Sequence, residues 1–294
     1  MHIVMVIFAA LLAFVSAWWI TKSLCSAKSL LSIFSHPNDR TLHSTPTPQT
    51  GGLAIVASVV ISLIMAASVL AMAEPSKAVL PKGVMASGSV WIVLSMLLIF
   101  TVSFIDDCIG LPASLRLGVQ AVSAFIIIGG IGLTLVYIPI PGGPTIQLGL
   151  AAIPLSALVL IWMANLYNFM DGMDGFAGGM TFFGFGFLAY FGWQAHFPIM
   201  LIIASFVAMG ALGFLLHNFP PARIFMGDAG SITLGFLAGT LMLLGVRDHA
   251  FDLWVPVIIF SPFIVDATVT LVRRIIRRQK IWQAHREHYY QRVV

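Results

Sequence analysis

The chain has 294 residues, of which 59% are hydrophobic and only 9% charged, against about 25% charged in an ordinary soluble domain. That balance excludes a soluble enzyme and a disordered chain, and two cysteines are too few for a disulfide scaffold. The net charge of +4 does not point to nucleic acid, because the Lys and Arg residues flank apolar blocks, as topology signals and lipid-headgroup contacts do.

Apolar blocks long enough to cross a bilayer, about 20 residues each, fall at 3–21, 51–72, 88–105, 118–137, 148–164, 176–192, 199–216, 231–246 and 253–271. They predict an all-α fold, a polytopic transmembrane helix bundle of about nine spans. The chain reads as one integral-membrane domain over 1–294, with 272–294 a basic cytoplasmic tail.

The first block has no basic residue before it, and Lys22 and Lys28 follow it. A signal peptide carries its charge at the front, so the reading is an uncleaved anchor with the N-terminus outside. Lys22, Lys28, Arg40, Arg116, Arg223 and the C-terminal basic run then share the cytoplasmic face, and only Lys77, Lys82 and Arg247 lie opposite. Cys25 and Cys108 fall in cytoplasmic loops and read as free thiols. Residues 138–147 form a turn-rich outer connection. Gly235 and Gly239 give a small-xxx-small spacing that serves helix packing. Residues 272–283 predict a basic amphipathic helix at the inner membrane surface.

The eleven acids carry the chemistry. Asp39, Asp106, Asp107, Asp171, Asp174, Asp228 and Glu287 all map to the cytoplasmic side. Asp106 and Asp107 sit side by side at the end of the third span, where two carboxylates repel and resist desolvation unless a cation or basic partner relieves them. Asn165, Asn168, Asp171 and Asp174 recur every three residues, with Gly172 and Gly175 between and after the acids. Amide and carboxylate oxygens without a Cys or His cluster suit a hard cation such as Mg2+. Asp228 precedes the eighth span between glycines, where free helix-start N–H groups suit a phosphate, and Arg223 suits a second phosphate oxygen. A helix cap by Asp228 or Ser231 is the structural alternative. Residues 36–52 offer a polar, turn-rich loop, and His285, Arg286 and His288 a further anion or metal contact.

Four blocks in order are similar to a known family: the Thr-Pro-Thr-Pro-x-x-Gly-Gly loop from Thr45, the Asp106-Asp107 pair, Asn-x-x-Asn-x-x-Asp-Gly-x-Asp-Gly from Asn165, and Phe-Met-Gly-Asp-x-Gly-Ser from Phe225. The chain resembles the polyprenyl-phosphate N-acetylhexosamine-1-phosphate transferases of glycosyltransferase family 4. These are bacterial membrane enzymes that start O-antigen and related polymers and are cousins of the peptidoglycan translocase. The resemblance implies transfer of a sugar-1-phosphate, from a UDP-linked N-acetylhexosamine or its 6-deoxy form, to polyprenyl (undecaprenyl) phosphate, releasing UMP.

It implies Mg2+, with Mn2+ as a substitute, at Asp228 and Asn168. It implies Asp106 as general base with Asp107 beside it, and Asp171 and Asp174 organising the nucleotide or metal site. Asn165, Arg116, Arg223, His285, Arg286 and His288 are the substrate-binding candidates. Asp266 and Arg273, on one face of the last span, are placed near the sugar. A homodimer in the bacterial inner membrane, surrounded by membrane lipids, follows from the same resemblance.

Three departures stand out. Gly110 replaces a common Lys, with Arg116 as the alternative source of charge. Arg286 and Glu287 separate the tail histidines. The chain stops at Val294, where many relatives have a further span. Two other classes fit the sequence less well. A CDP-alcohol phosphotransferase would need Ala-Arg where Gly178 and Gly179 stand. An ion-coupled transporter would place its acids near the midplane rather than at span ends.

Overall fold

The computed structural model describes residues 2–26, 33–35, 46–73 and 88–278. Ten helices follow in order among them. They are α1 (His2–Leu24), α2 (Gly51–Ala73), α3 (Ser89–Ile109), α4 (Ala113–Ile131), α5 (Ala152–Met170), α6 (Phe176–Gln194), α7 (Pro198–Asn218), α8 (Asp228–Arg247), α9 (Trp254–Ile259) and α10 (Ser261–Ile276). Two short antiparallel pairs complete the fold: β1 (Phe34–Ser35) with β2 (Thr47–Pro48), and β3 (Tyr137–Pro139) with β4 (Thr145–Gln147). The second pair is the connection expected over 138–147, closed as a hairpin. Among the described residues, seven helices (α1 to α5, α7 and α8) are long and apolar enough to cross a membrane. The chain is a multi-pass helical membrane protein.

Helix α8 is the pillar. Its whole apolar window is buried, whereas the other six windows are at most half covered. A helix apolar on every face belongs inside a bundle, and this one is thin enough to be surrounded. It packs against α5, α3, α2 and α6, while α7 is a second hub for α1, α2 and α6. A Cβ on Gly235 would strike the Met163 carbonyl oxygen of α5, and one on Gly239 would come 3.2 Å from the Met163 Cβ. The Gly235/Gly239 pair is therefore a close helix–helix contact. At the start of α8, Gly230 lies against Gly52 of α2, backbone to backbone.

Helix ends depart from the sequence reading where polar residues find partners. Helix α3 runs to Ile109, so Asp106 and Asp107 stand on its last turn rather than in a loop. Helix α5 runs to Met170, so Asn165 and Asn168 are helical. Helix α4 begins at Ala113, five residues earlier than read, and carries Arg116 in its first turn. The last block is not one span: it breaks at Phe260 into α9 and α10. Helix α10 buries Phe263, Asp266, Ala267, Thr270 and Arg274 and exposes Val265, Val272, Ile275 and Ile276. It buries three polar side chains, Asp266, Thr270 and Arg274, together with Phe263 and Ala267, and turns four aliphatic side chains outward. Arg273, expected beside Asp266, is exposed; Arg274 is the arginine on the buried face. Only the start of the amphipathic segment expected over 272–283 is described, since 279–294 lie outside the described residues.

Gly235→Val drives a branched side chain into the α5 backbone. It is expected to cost about 1–3 kcal/mol and to lower the unfolding midpoint in detergent. Gly186→Ala, where nothing lies within 4 Å, leaves the midpoint unchanged. Equal effects would show that the α5–α8 contact is looser than described.

Candidate functional site

One end of the bundle gathers the ends of α3, α5 and α7 and the starts of α4, α6 and α8. The loop before α8 fixes this end. Phe225 N–H donates to the Pro48 carbonyl (2.7 Å), and Gly51 and Gly52 N–H donate to the carbonyls of Phe225 (2.9 Å) and Met226 (2.8 Å). Residues 48–52 thus clamp the segment leading to Asp228 with one carbonyl and two amides. Gly227 sits at φ 76°, a backbone that favours glycine. A Cβ there would meet the Gln49 carbonyl and the Asp107 carboxylate.

Asp107 closes the start of α8. Its Oδ1 accepts from Asp228 N–H and its Oδ2 from Ala229 N–H, both at 2.9 Å. This is a helix cap supplied from another helix, and a carboxylate at a helix N-terminus is also favoured by the macrodipole. The sequence reading left these amides for a phosphate, or gave the cap to Asp228 or Ser231. The structure gives the cap to Asp107, and its N–H partners are already in place.

Around that cap stand the remaining polar groups. Asn168 Nδ2 donates to Asp228 Oδ1 (2.7 Å) and to Ser231 Oγ (3.2 Å). The Arg116 guanidinium bridges Asp106 Oδ2 (3.0 Å) and Asp228 Oδ2 (3.3 Å). Leu111 N–H holds Asp106 Oδ1 at 2.6 Å. Arg116 therefore supplies positive charge to the acids where Gly110 cannot. Asp228 is the more open partner of the arginine, its side chain 28% exposed against 6% for Asp106.

Asp171 belongs to the same set. Burial pushes its carboxyl well above the usual carboxylate range; the charges of Asp228 and Asp107 add to this, and the Gly227 N–H opposes it. Four carboxylates thus crowd one helix start, offset by one arginine and the helix dipole.

Other expected residues stand apart. Asp174 Oδ2 accepts from Ala222 N–H (2.8 Å), bracing the loop before α8. Asn165 donates to Gln120 Oε1 (2.6 Å) and to the Ile161 carbonyl (2.8 Å), one turn deeper on α5. Arg223 lies at the end of α1. Its N–H donates to the His217 carbonyl (2.9 Å), and its charge offsets the rise that burial causes in the Cys25 thiol. His285, Arg286 and His288 lie outside the described residues.

The sequence reading gives no role to Asn218, which opens the block that leads to Asp228, and passes over Gln120. Asn218 is buried; its Oδ1 accepts from Gly175 N–H (3.0 Å) and its Nδ2 donates to the Ile224 carbonyl (2.8 Å), tying the start of α6 to the loop before α8. Its signal was a lone amide opening the Asn-Phe-Pro-Pro block. For Gln120 it was one amide on an apolar helix, four residues after Arg116.

Among the described residues no three His, Cys, Asp or Glu side chains form a metal cage. The donors present, one accessible carboxylate held by an amide, fit Mg2+ in its usual protein setting, where substrate phosphates and water complete the shell.

The profile of glycosyl transferase family 4 matches residues 89–246, which include α3 to α8 and every residue of this cluster. A Bacillus subtilis protein described as a probable undecaprenyl-phosphate N-acetylglucosaminyl 1-phosphate transferase is 30% identical over 88% of this chain and 68% of its own length. A Mycolicibacterium smegmatis decaprenyl-phosphate N-acetylglucosaminephosphotransferase is 31% identical over 81% of this chain, which spans 60% of that relative. A Nautilia profundicola phospho-N-acetylmuramoyl-pentapeptide-transferase is 32% identical, covering 80% and 73%. The chain belongs to glycosyl transferase family 4. It is an enzyme of the sugar-1-phosphate transferase kind.

Two variants test the cap and the crowding. Asp107→Ala leaves two helix-start amides open and is expected to cost about 1–2 kcal/mol of stability. A normal unfolding midpoint with lost turnover would instead assign Asp107 to the chemistry. Asp171 has its folded-state pKa raised, so the folded state holds a proton that the unfolded state has lost, and stability falls as pH rises above about 4, the unfolded carboxylate range. Asp171→Asn removes that cost. It should raise the unfolding midpoint at pH 7 and lose the gain as pH drops toward 4; a midpoint unchanged at pH 7 would remove Asp171 from the crowded set.

Proposed function

We propose that the protein transfers an N-acetylhexosamine-1-phosphate from a UDP-sugar to a polyprenyl phosphate, with Mg2+ and with UMP as the leaving group, at the bacterial inner membrane. The observation that carries the reading is the Asp106–Arg116–Asp228 bridge beside Asn168. It places one cation and two acids at the mouth of a helix start, on a protein whose substrate must arrive from the membrane. The relatives' printed names supply the polyprenyl phosphate and the N-acetylglucosamine phosphate.

In this reading a phosphate oxygen of the lipid attacks the β-phosphorus of the UDP-sugar. The bond from that phosphorus to the bridging oxygen breaks, and UMP departs with the electron pair. Mg2+, when bound, offsets charge on the diphosphate and on the departing UMP. Asp228 is its carboxylate ligand, and Asn168 keeps that carboxylate oriented. Arg116 turns from the acids to the phosphate oxygens, where positive charge is most useful as the leaving group develops. Asp106, freed from the arginine on Oδ2, accepts or positions the proton of the lipid phosphate. The acids lie at helix ends around one helix start rather than along a path through the bundle, which favours a transferase over an ion-coupled transporter.

The test is transfer of radiolabelled sugar phosphate from a panel of UDP-N-acetylhexosamines to undecaprenyl phosphate by the purified chain. Lipid- and Mg2+-dependent transfer, abolished by EDTA, is expected. Asp228→Ala and Asp106→Asn should each lower turnover by about 10²–10⁴-fold with unchanged unfolding midpoints. Wild-type turnover in either variant removes that residue from the mechanism, and no transfer with any donor from folded protein contradicts the reading.

A further inference from the structure

The bundle end that carries the carboxylates also carries a separate group of cations that the reaction does not use. Lys22, on the last turn of α1, places its Nζ 5.2 Å from the centre of the Trp18 ring. The Trp18 ring lies 6.2 Å from that of His217, the rings tilted by 32°. Arg223 donates its backbone N–H to the His217 carbonyl, and the charges of Lys22 and Arg223 both reach the His217 ring. No acid stands on α1 or α7. Among the described residues, neither Lys22 nor Arg223 pairs with a carboxylate. Asp174, on the loop before α6, is bound to the Ala222 N–H. His217 is 9% exposed, and its Nε2 is buried without a hydrogen-bond partner. Two cations thus meet at one helix end, and among the described residues no carboxylate answers them.

Their position says what answers them. Lys22 lies at the very end of an apolar span, one turn beyond Trp18, as cation and aromatic do at a membrane border. Next to them, Val15 and Trp19 of α1, Leu216 of α7 and Phe219 just after it are 54%, 64%, 56% and 67% exposed. Apolar side chains below and cations above match a molecule with an acyl chain and a negative headgroup. A free phosphate would use only the upper half.

We propose that the ends of α1 and α7, with Arg223, form a binding site for the phosphate headgroup of an anionic phospholipid. Lys22 and Arg223 pair with the phosphate, and the His217 ring, packed against Trp18, holds the two helix ends together beneath it. The site is distinct from the reaction site, because Arg223 makes no ion pair with Asp106, Asp107, Asp171 or Asp228. The occupant is therefore a bulk membrane lipid, not the polyprenyl acceptor. The proposal does not rest on the transferase reading.

The test uses the full chain in a maltoside detergent free of phosphate. Phosphatidylglycerol, phosphatidylcholine, undecaprenyl phosphate or inorganic phosphate is added, and lipid binding is read by native mass spectrometry together with the unfolding midpoint. Phosphatidylglycerol should bind and raise the midpoint more than phosphatidylcholine does. Lys22→Gln and Arg223→Gln should each weaken binding about fivefold, the change that roughly 1 kcal/mol per basic residue at a membrane surface represents. Lys22→Arg should restore it, and Arg247→Gln, at the C-terminal end of α8 and paired with Asp248, should not alter it. Wild-type binding by the Lys22→Gln/Arg223→Gln double variant would overturn the site. A variant-sensitive response to undecaprenyl phosphate alone would overturn the bulk-lipid occupant, and one to inorganic phosphate alone would overturn the lipid.

Discussion

The pairing of the Asp107 carboxylate with the first two amides of α8 is the contact on which the site depends. The apolar window of helix α8 is buried, and the N–H groups of its first turn need partners from outside the helix. Asp107 answers two of them and in doing so joins the last turn of α3 to the first turn of α8. The clamp from Gly51 and Gly52 holds the chain just ahead of the same turn. Asp228 is the first residue of the helix so fixed. Its side chain is presented by a backbone held from α3 and α2, with Asn168 of α5 setting its orientation.

That arrangement has an electrostatic consequence. A helix start is ordinarily where a phosphate is met by backbone amides. Here the protein's own carboxylate occupies that place, so phosphate must be met by side-chain cations and by a metal ion. Asp106, Asp171 and Asp228 crowd the same turn, and Asp171 is driven toward its protonated form. Arg116 is the lone compensating side chain at the cluster among the described residues. The set is left with an excess of negative charge that a divalent cation and the uptake of one proton would relieve. This is a site destabilised by its own charges, as functional sites often are.

Much of this was legible in the sequence. Apolar length alone gave the spans, because a bilayer imposes one length on every crossing helix. The glycine pair of α8 was read as packing, and the Asn168, Asp171 and Asp228 positions converge in space as their motifs suggested. What could not be read was partnership. Asp107 was grouped with Asp106 because they are adjacent in sequence, yet one turns to Arg116 and the other to a helix 121 residues away. Span ends were drawn short by several residues because polar side chains look like loop until their partners are known, as with Asp106, Asp107, Asn165 and Asn168. Arg223 was placed at the reacting phosphates by its nearness in sequence to Asp228, but the clamp on Phe225 and Met226 turns the chain, and Arg223 ends beside α1. The break at Phe260 had no local signal beyond Pro256 and Pro262, each compatible with helix starts and with kinks.

The account centres on Asp228 as the point where a cation joins the protein to the diphosphate. The most direct measurement is the electron paramagnetic resonance of Mn2+ added to the purified protein with a UDP-N-acetylhexosamine. One bound Mn2+ is expected in the wild type, and its signal should be lost in Asp228→Ala while Asp174→Asn retains it. Bound Mn2+ persisting unchanged in Asp228→Ala would place the metal elsewhere and contradict the account.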